Sequence, residues 1–315
     1  MYIPFPFEHR ARILIAGAGG GYDFLCGLPI ALALMEKGHS VCFANYSFTR
    51  LHEVQKAQWI TPDVLKVDHN ASMPDGAYFP EVKMSKWFKE EKGMDMPVYC
   101  YANLGVRPLE KVFRHLKDLL AIDGLIVVDG GVDGIFRGDE FDLGTPSMDS
   151  VSVIAGSLVP FASKAYVMTA FGSEGVNHEV SHADALARVA QLTKTNDFFG
   201  VSCLLANQSP CLDFLKAVRH ILDRTAKQHQ SNIVGSMVKA VEGDFGEMAV
   251  NAKTIDSPIW VSPLTNMFWY FDLGAVARMK LFYKDALRTD TVSEVADLIA
   301  DIRKNLRFTR ASIPI

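Results

Sequence analysis

The chain has little of what would settle its class at once. Its five cysteines, Cys26, Cys42, Cys100, Cys203 and Cys211, are odd in number and form no CxxC pair. That argues against a disulfide framework and fits reduced, mostly buried thiols. No apolar run reaches the ~20 residues of a membrane-spanning helix. Charge of neither sign is in large excess: 32 Lys and Arg stand against 36 Asp and Glu, a net charge of −4. Nothing here marks a partner such as a nucleic acid or an anionic membrane. The opening MYIPFPFEHR has neither the basic start nor the apolar core of a secretory signal, so the expectation is cytoplasmic. Internal repeats, low-complexity tracts and a convincing linker are also missing.

What is present is an ordinary globular composition, 49% hydrophobic and 22% charged over 315 residues, enough for a sizeable core. The apolar run Arg12–Ala16 reads as a buried strand. A glycine-rich loop follows, then helical spacing from Leu25 to Met35, a stop at Lys37-Gly38, and a second strand at Val41–Ala44. The alternation continues. An amphipathic stretch, Leu109–Leu120, precedes a strand at Gly124–Val128, and a helix at Val151–Val159 precedes a strand at Ala165–Thr169. Helix is expected near 183–193, over 210–242 and over 274–305, with a short strand at Ile259–Val261. This predicts one doubly wound, Rossmann-like α/β domain over residues 1–315, its sheet mostly parallel with helices on both faces. A less regular insertion or lid is expected at about 46–100, where Pro62, Pro74, Pro80 and Pro97 fall. NMFWYFDL (266–273) reads as an aromatic packing cluster.

In such folds ligands gather at the carboxyl ends of the strands, and three expected strands end in glycine and acid. The first loop, GAGGGYD (17–23), places Gly17, Gly19, Gly20 and Gly21 before Asp23. Glycines there let backbone N–H groups approach phosphate or ribose oxygens. The dinucleotide fingerprint is incomplete because Tyr22 stands where its third glycine belongs, and Asn45 and Tyr46 replace the ribose-binding acid. No Gly-Lys-Ser/Thr follows, which excludes a Walker loop. The alternative is a tight turn with no ligand.

The second loop, DGGVDGIFRGDEFDLGTPSMDS (129–150), holds six acids and one basic residue, Arg137. Carboxylates this dense repel one another unless something cationic separates them, and hard oxygen ligands suit Mg²⁺ or Ca²⁺. Asp129 and Asp133 are the expected holders of such a cation, or of sugar hydroxyls. Gly130 and Gly131 offer backbone contacts, and Arg137 would balance charge. The competing reading is a solvated turn, with Asp149 as N-cap of the helix near Val151.

The third loop, AFGSEG (170–175), adds Gly172 and Glu174, and Asn266 and Ser262 are possible pocket lining. Asp23 and Glu174 are the candidate general bases. HEVSH (178–182) matches the H-E-x-x-H zinc pattern, but Ser181 reads as the N-cap of the next helix. That would place His178 before the helix and His182 in its first turn.

Taken together, the loop GAGGGYD, the stretch LIVVDGGVDGIFRGDEFDLGTPSMDS and the run WVSPLTNMFWYFDLGAVAR resemble an uncharacterised prokaryotic family, domain-of-unknown-function family 1152. The resemblance spans about Arg12 to Arg288 and implies a glycine-rich α/β fold with no assigned reaction. Tyr22 departs from the small residue expected in its first loop. A fainter similarity is to nucleoside hydrolases, whose aspartates after a strand bind Ca²⁺. Asp129 and Asp133 match two of these, without the adjacent pair.

The expectation is an enzyme acting by hydrolysis or group transfer on a nucleotide-like or phosphorylated small molecule, with a divalent cation. Catalytic roles fall to Asp23, Asp129, Asp133 and Glu174. Gly17, Gly19, Gly20, Gly21, Gly130, Gly131, Arg137, Gly172 and Asn266 are the expected ligand contacts. A non-catalytic ligand-binding or sensor protein, or a zinc hydrolase built on HEVSH, are the alternatives.

Overall fold

A computed structural model describes residues 1–5, 7, 10–174 and 180–309. In chain order the elements are β1 (Arg12–Gly17), α1 (Asp23–Cys26), α2 (Leu28–Glu36), β2 (Ser40–Tyr46), β3 (Gln58–Thr61), β4 (Val64–Val67), α3 (Pro80–Lys92), β5 (Val98–Tyr101), α4 (Val106–Leu120), β6 (Gly124–Asp129), α5 (Ser147–Leu158) and β7 (Ser163–Met168). There follow α6 (His182–Lys194), β8 (Phe198–Cys203), α7 (Ser209–Asp223), α8 (Asn232–Glu242), β9 (Gly246–Met248), β10 (Ile259–Val261), β11 (Met267–Asp272), α9 (Leu273–Met279), α10 (Tyr283–Ala286) and α11 (Val292–Arg303).

Nine strands form one sheet in the order β3-β4-β5-β2-β1-β6-β7-β11-β8. Its centre, β5-β2-β1-β6-β7, is parallel, and the outer strands on both sides pair antiparallel. Both faces of the sheet are covered, so the central strands read as continuous apolar runs. Ile13, Ile15, Ile126 and Val128 pack with α2, α3 and α7 on one face. Leu14, Ala16, Leu125 and Val127 pack with α4, α5 and α9 on the other. Neighbouring residues of each strand therefore supply opposite cores, the period of two that strand geometry imposes.

The structure adds detail to the expected elements. Residues 46–100 hold β3, β4 and α3 among stretches of irregular chain and widen the sheet beyond β5. The aromatic run at 267–272 is strand β11, inserted antiparallel between β7 and β8, with Trp269 opposite Met168 on one side and Val201 on the other. The region 210–242 is two helices, α7 and α8, broken by a 3₁₀ turn at Lys227–His229. The run 274–305 is likewise split into α9, α10 and α11.

Strand β1 is the switch point. The chain leaves it toward β2 on one side, and β6 joins it on the other with Ile13 opposite Gly124. Loops after β1 and β6 diverge there to opposite faces, opening a crevice at the carboxyl ends of the strands.

Candidate functional site

The loop after β1 is held from below by a buried polar network. Asn45 Nδ2 donates to Gly21 O (3.0 Å) and to Glu81 Oε1 (2.9 Å). The fully buried Glu81 also accepts from Ser47 Oγ (2.5 Å) and Thr49 Oγ1 (3.1 Å). Asn45 thus occupies the end of β2 as a brace for the loop, in place of a ribose-binding acid. Gly20 and Gly21 adopt φ of +104° and +64°, a region that glycine alone enters without strain. Tyr22 is part of the wall: its hydroxyl donates to His229 O at 3.0 Å.

The loop after β6 presents its acids inward. Asp129 Oδ2 accepts from Gly134 N (2.9 Å) and Tyr166 Oη (2.6 Å). Asp133 Oδ2 accepts from Thr145 N (2.8 Å). Asp23, opening α1, accepts from Gly19 N through Oδ2 (2.7 Å). Glu174 accepts from Val132 N through Oε1, and its buried Oε2 has no hydrogen-bond partner among the described residues. Asp149 comes from the first turn of α5.

Oxygens of Asp23, Asp129 and Asp149 all lie within 4.8 Å of one another. With Asp133 and Glu174 they line a recess of about 180 Å³. Burial, then the charge of neighbouring acids, pushes Asp23, Asp149 and Glu174 well above the usual carboxylate range. Burial and the charge of Asp133 raise Asp129 to about 7. Such a cluster holds protons or a cation, since its carboxylates cannot all ionise together without compensation. The nearby charge is Lys280, 3% exposed, whose Nζ donates to Gly134 O (2.6 Å) and Phe136 O (2.7 Å). Burial lowers it to about 8, against the pull of Glu140, Asp149, Asp133 and Asp129.

The glycines of these loops serve the carboxylates. A Cβ on Gly19 would collide with Asp149 Oδ1, and one on Gly130 would lie 2.8 Å from Asp23 Oδ1. On Gly131 it would lie 2.5 Å from Glu174 Oε1, and on Gly134 2.5 Å from Asp129 Oδ2. Side chains at these positions would expel the acids from the recess.

The recess opens into a wider cavity of about 550 Å³. Gly20, Asp23, Phe48, Glu174 and Ile233 border both spaces. Its aromatic wall is Phe48 and Tyr78, ring centroids 6.4 Å apart. The 3₁₀ turn through His229, whose ring packs edge-on against Tyr78 (centroids 5.7 Å), also lines it, with the start of α8 and Lys253.

Sequence reasoning and structure agree on bringing Asp23, Asp129, Asp133, Glu174, Gly19, Gly20, Gly130 and Gly131 to one place, and Gly21 lines the outer cavity. They part at several residues. Asp149 does not cap its helix, which begins two residues earlier at Ser147; it joins Asp23 and Asp129 instead. Asp133 stands beside that trio with Oδ2 committed to Thr145 N. Gly17 packs against Asn45, where a Cβ would lie 2.6 Å from Oδ1. Gly172 turns against the Trp260 carbonyl, 3.0 Å from a would-be Cβ. Arg137 faces Asp139 (3.6 Å) and borders a separate cavity, and Lys280 sits by the acids in its place. Asn266 ties down the end of β8, donating through Nδ2 to Leu204 O (3.0 Å). Ser262 closes a turn by accepting from Leu264 N (3.1 Å). Ser181 caps α6, accepting from Asp184 N, and His182 begins that helix, as expected. His178 lies outside the described residues. Tyr166, Lys280 and Lys253 were not anticipated; each stands in a different element and carries no local motif.

No described helix is long and apolar enough to cross a membrane. Residues 14–304 match the model of a family described as protein of unknown function (DUF1152). No curated protein and no solved structure matches the chain.

Proposed function

The chain belongs to the DUF1152 family, whose description assigns no activity, and from the site itself we propose an enzyme acting by hydrolysis or group transfer on a nucleotide-like or phosphorylated small molecule. Asp23, Asp129 and Asp149 would hold a divalent cation, Mg²⁺ or Ca²⁺. The observation that carries this reading is the convergence of those three carboxylates, within 4.8 Å, at the switch point of the sheet. Their hard oxygen donors and mutual repulsion suit either cation. A phosphate entering the bare recess would meet five acids, and the Gly19 N–H already donates to Asp23. Direct phosphate binding by the glycine loop is therefore the weaker arrangement.

When bound, such a cation offsets the negative charge and lowers the pKa of an attacking water. Glu174 would accept that proton: Val132 N fixes one oxygen, and the other has no partner among the described residues. Asp23, expected as an alternative base, has one oxygen engaged by Gly19 N and belongs with the cation ligands. Tyr166 and Gly134 N orient Asp129. Glu81 and Asn45 are positioning residues for the loop that carries Asp23.

The test is turnover of nucleotides, nucleosides and sugar phosphates by the purified chain with Mg²⁺ or Ca²⁺. Glu174→Gln should lower kcat by about 100-fold or more while leaving cation affinity within about threefold. Ligand binding without turnover on any of these would favour the sensor reading instead.

A further inference from the structure

Beside the carboxylates lies an aromatic side chain that the chemistry proposed above does not use. Phe48 follows the end of β2 and borders both the recess and the outer cavity. Its ring lies across the glycine loop: a Cβ on Gly20 would come to 2.9 Å from Cε1, and one on Gly21 to 3.0 Å from Cε2. The loop backbone therefore supports the ring, and Phe48 is still 54% exposed. Aromatic side chains gain much from burial, yet this one is left open where the two spaces meet. The neighbouring rings are fixed. Tyr78 meets Phe48 at a tilt of 36° (6.4 Å) and is itself held edge-on by Tyr22 and by His229, each at 5.7 Å. Gln228 and Asn232 line the same cavity. Their amides are neutral, and each offers both donors and an acceptor. Asn232 is fixed through Oδ1, which accepts from Asn251 Nδ2 at 2.9 Å. An open aromatic ring on a firm backing, with neutral amides nearby, fits a flat ring with polar edges better than an alkyl chain or a bare phosphate.

We propose that Phe48 is a stacking platform for a planar heteroaromatic ring of the substrate, a nucleobase in class, whose polar edge is met by Gln228 and Asn232. The ring sits next to the carboxylates, because Phe48 lines the recess as well as the outer cavity. The part of the molecule joined to it therefore reaches Asp23, Asp129 and Asp149. That this part reacts rests on the cation reading above; the platform itself does not. The substrate class narrows to molecules that carry a nucleoside unit, since a sugar phosphate without a base would leave Phe48 bare. Glycine at positions 20 and 21 then serves the substrate indirectly, by leaving room for the ring on which it stacks.

Calorimetric titration of adenosine, guanosine, cytidine and uridine into the full chain with Mg²⁺ tests this, with ribose 5-phosphate as the control that lacks a base. Wild type should bind at least one nucleoside more tightly than ribose 5-phosphate. Phe48→Ala should weaken that binding by about tenfold or more, and Phe48→Leu, apolar but without a π face, should weaken it nearly as much. Phe48→Trp should restore it, and the fluorescence added by the new indole should be quenched as the nucleoside binds. Equal binding by wild type and Phe48→Ala, or full binding by Phe48→Leu, would overturn the platform and leave the cation reading untouched. Failure of all four nucleosides to bind would overturn it too, and turnover of ribose 5-phosphate in that case would uphold the cation reading for a substrate without a base. Stacking as expected, with no Mg²⁺ binding in a parallel titration, would sink the cation reading and leave the platform standing.

Discussion

The acidic stretch 129–149 contains two kinds of carboxylate, and contrasting them shows what a count of acids conceals. In its middle the acids are paired. Glu140, 1% exposed, accepts from Arg137 N and Gly138 N (2.9 Å each) and faces Arg188 at 3.5 Å. Arg303 clamps the same turn through Gly138 O, Glu140 O and Phe141 O. At its two ends, Asp129 and Asp149 are equally buried but face other acids. Their protein contacts are Tyr166, backbone N–H and the more remote charge of Lys280. Glu140 has its countercharge built in and is complete as folded. Asp129 and Asp149 make no ion pair among the described residues, and the recess beside them has room for a countercharge.

Several changes break or sharpen this contrast. Glu140→Ala should cost about 3 kcal/mol of stability, because it leaves Arg188 facing a void and two N–H groups without acceptors. Cation affinity should stay within about threefold, as read by chemical denaturation beside a Mg²⁺ titration. A strong loss of cation binding would mean the two groups are not separable.

The pH dependence should be the reverse of that of a paired acid. Asp129 titrates near 3.8 when unfolded and at about 7 when folded. Between those values the folded state holds more protons, so stability of the cation-free protein falls as pH rises through that window. Saturating Mg²⁺ should flatten the slope by replacing the protons. A denaturation series from pH 4 to pH 8, with and without Mg²⁺, reads the effect; a rise with pH in the cation-free protein would contradict it. The smallest effect is expected at Arg137. Its side chain meets Asp139 at 3.6 Å, both partly exposed, so Arg137→Ala should cost about 0.5 kcal/mol and leave cation affinity unchanged.

The central fold was legible because β1, β2, β6 and β7 are buried on both faces, and such strands show as unbroken apolar runs. The site was legible in part because loops at strand ends need glycine where carboxylates press against the backbone. Gly19, Gly130 and Gly131 carry that signal, though it reads in sequence as a seat for phosphate. Choosing Asp149 over Asp133 as the third member of the trio was not legible. Both are acids of one loop, and their distances to Asp23 depend on where α5 packs. Lys280 could not be found locally at all, since its partner Gly134 is 146 positions away. The strand β11 was misread because an aromatic run without polar alternation fits a packing cluster as well as a strand, here one whose Met267 and Trp269 stay half-buried.

The central claim is that Asp23, Asp129 and Asp149 form a cation site completed from outside the chain. Calorimetric titration of Mg²⁺ and Ca²⁺ into the cation-free wild type and Asp149→Asn tests it most directly. The account predicts one cation per chain in wild type, with protons released on binding because the raised carboxylates must ionise. It predicts an affinity more than about 100-fold weaker in Asp149→Asn, whose cation-free form should be the more stable because a like charge is gone. No binding by wild type, or the same affinity in both proteins, would contradict it.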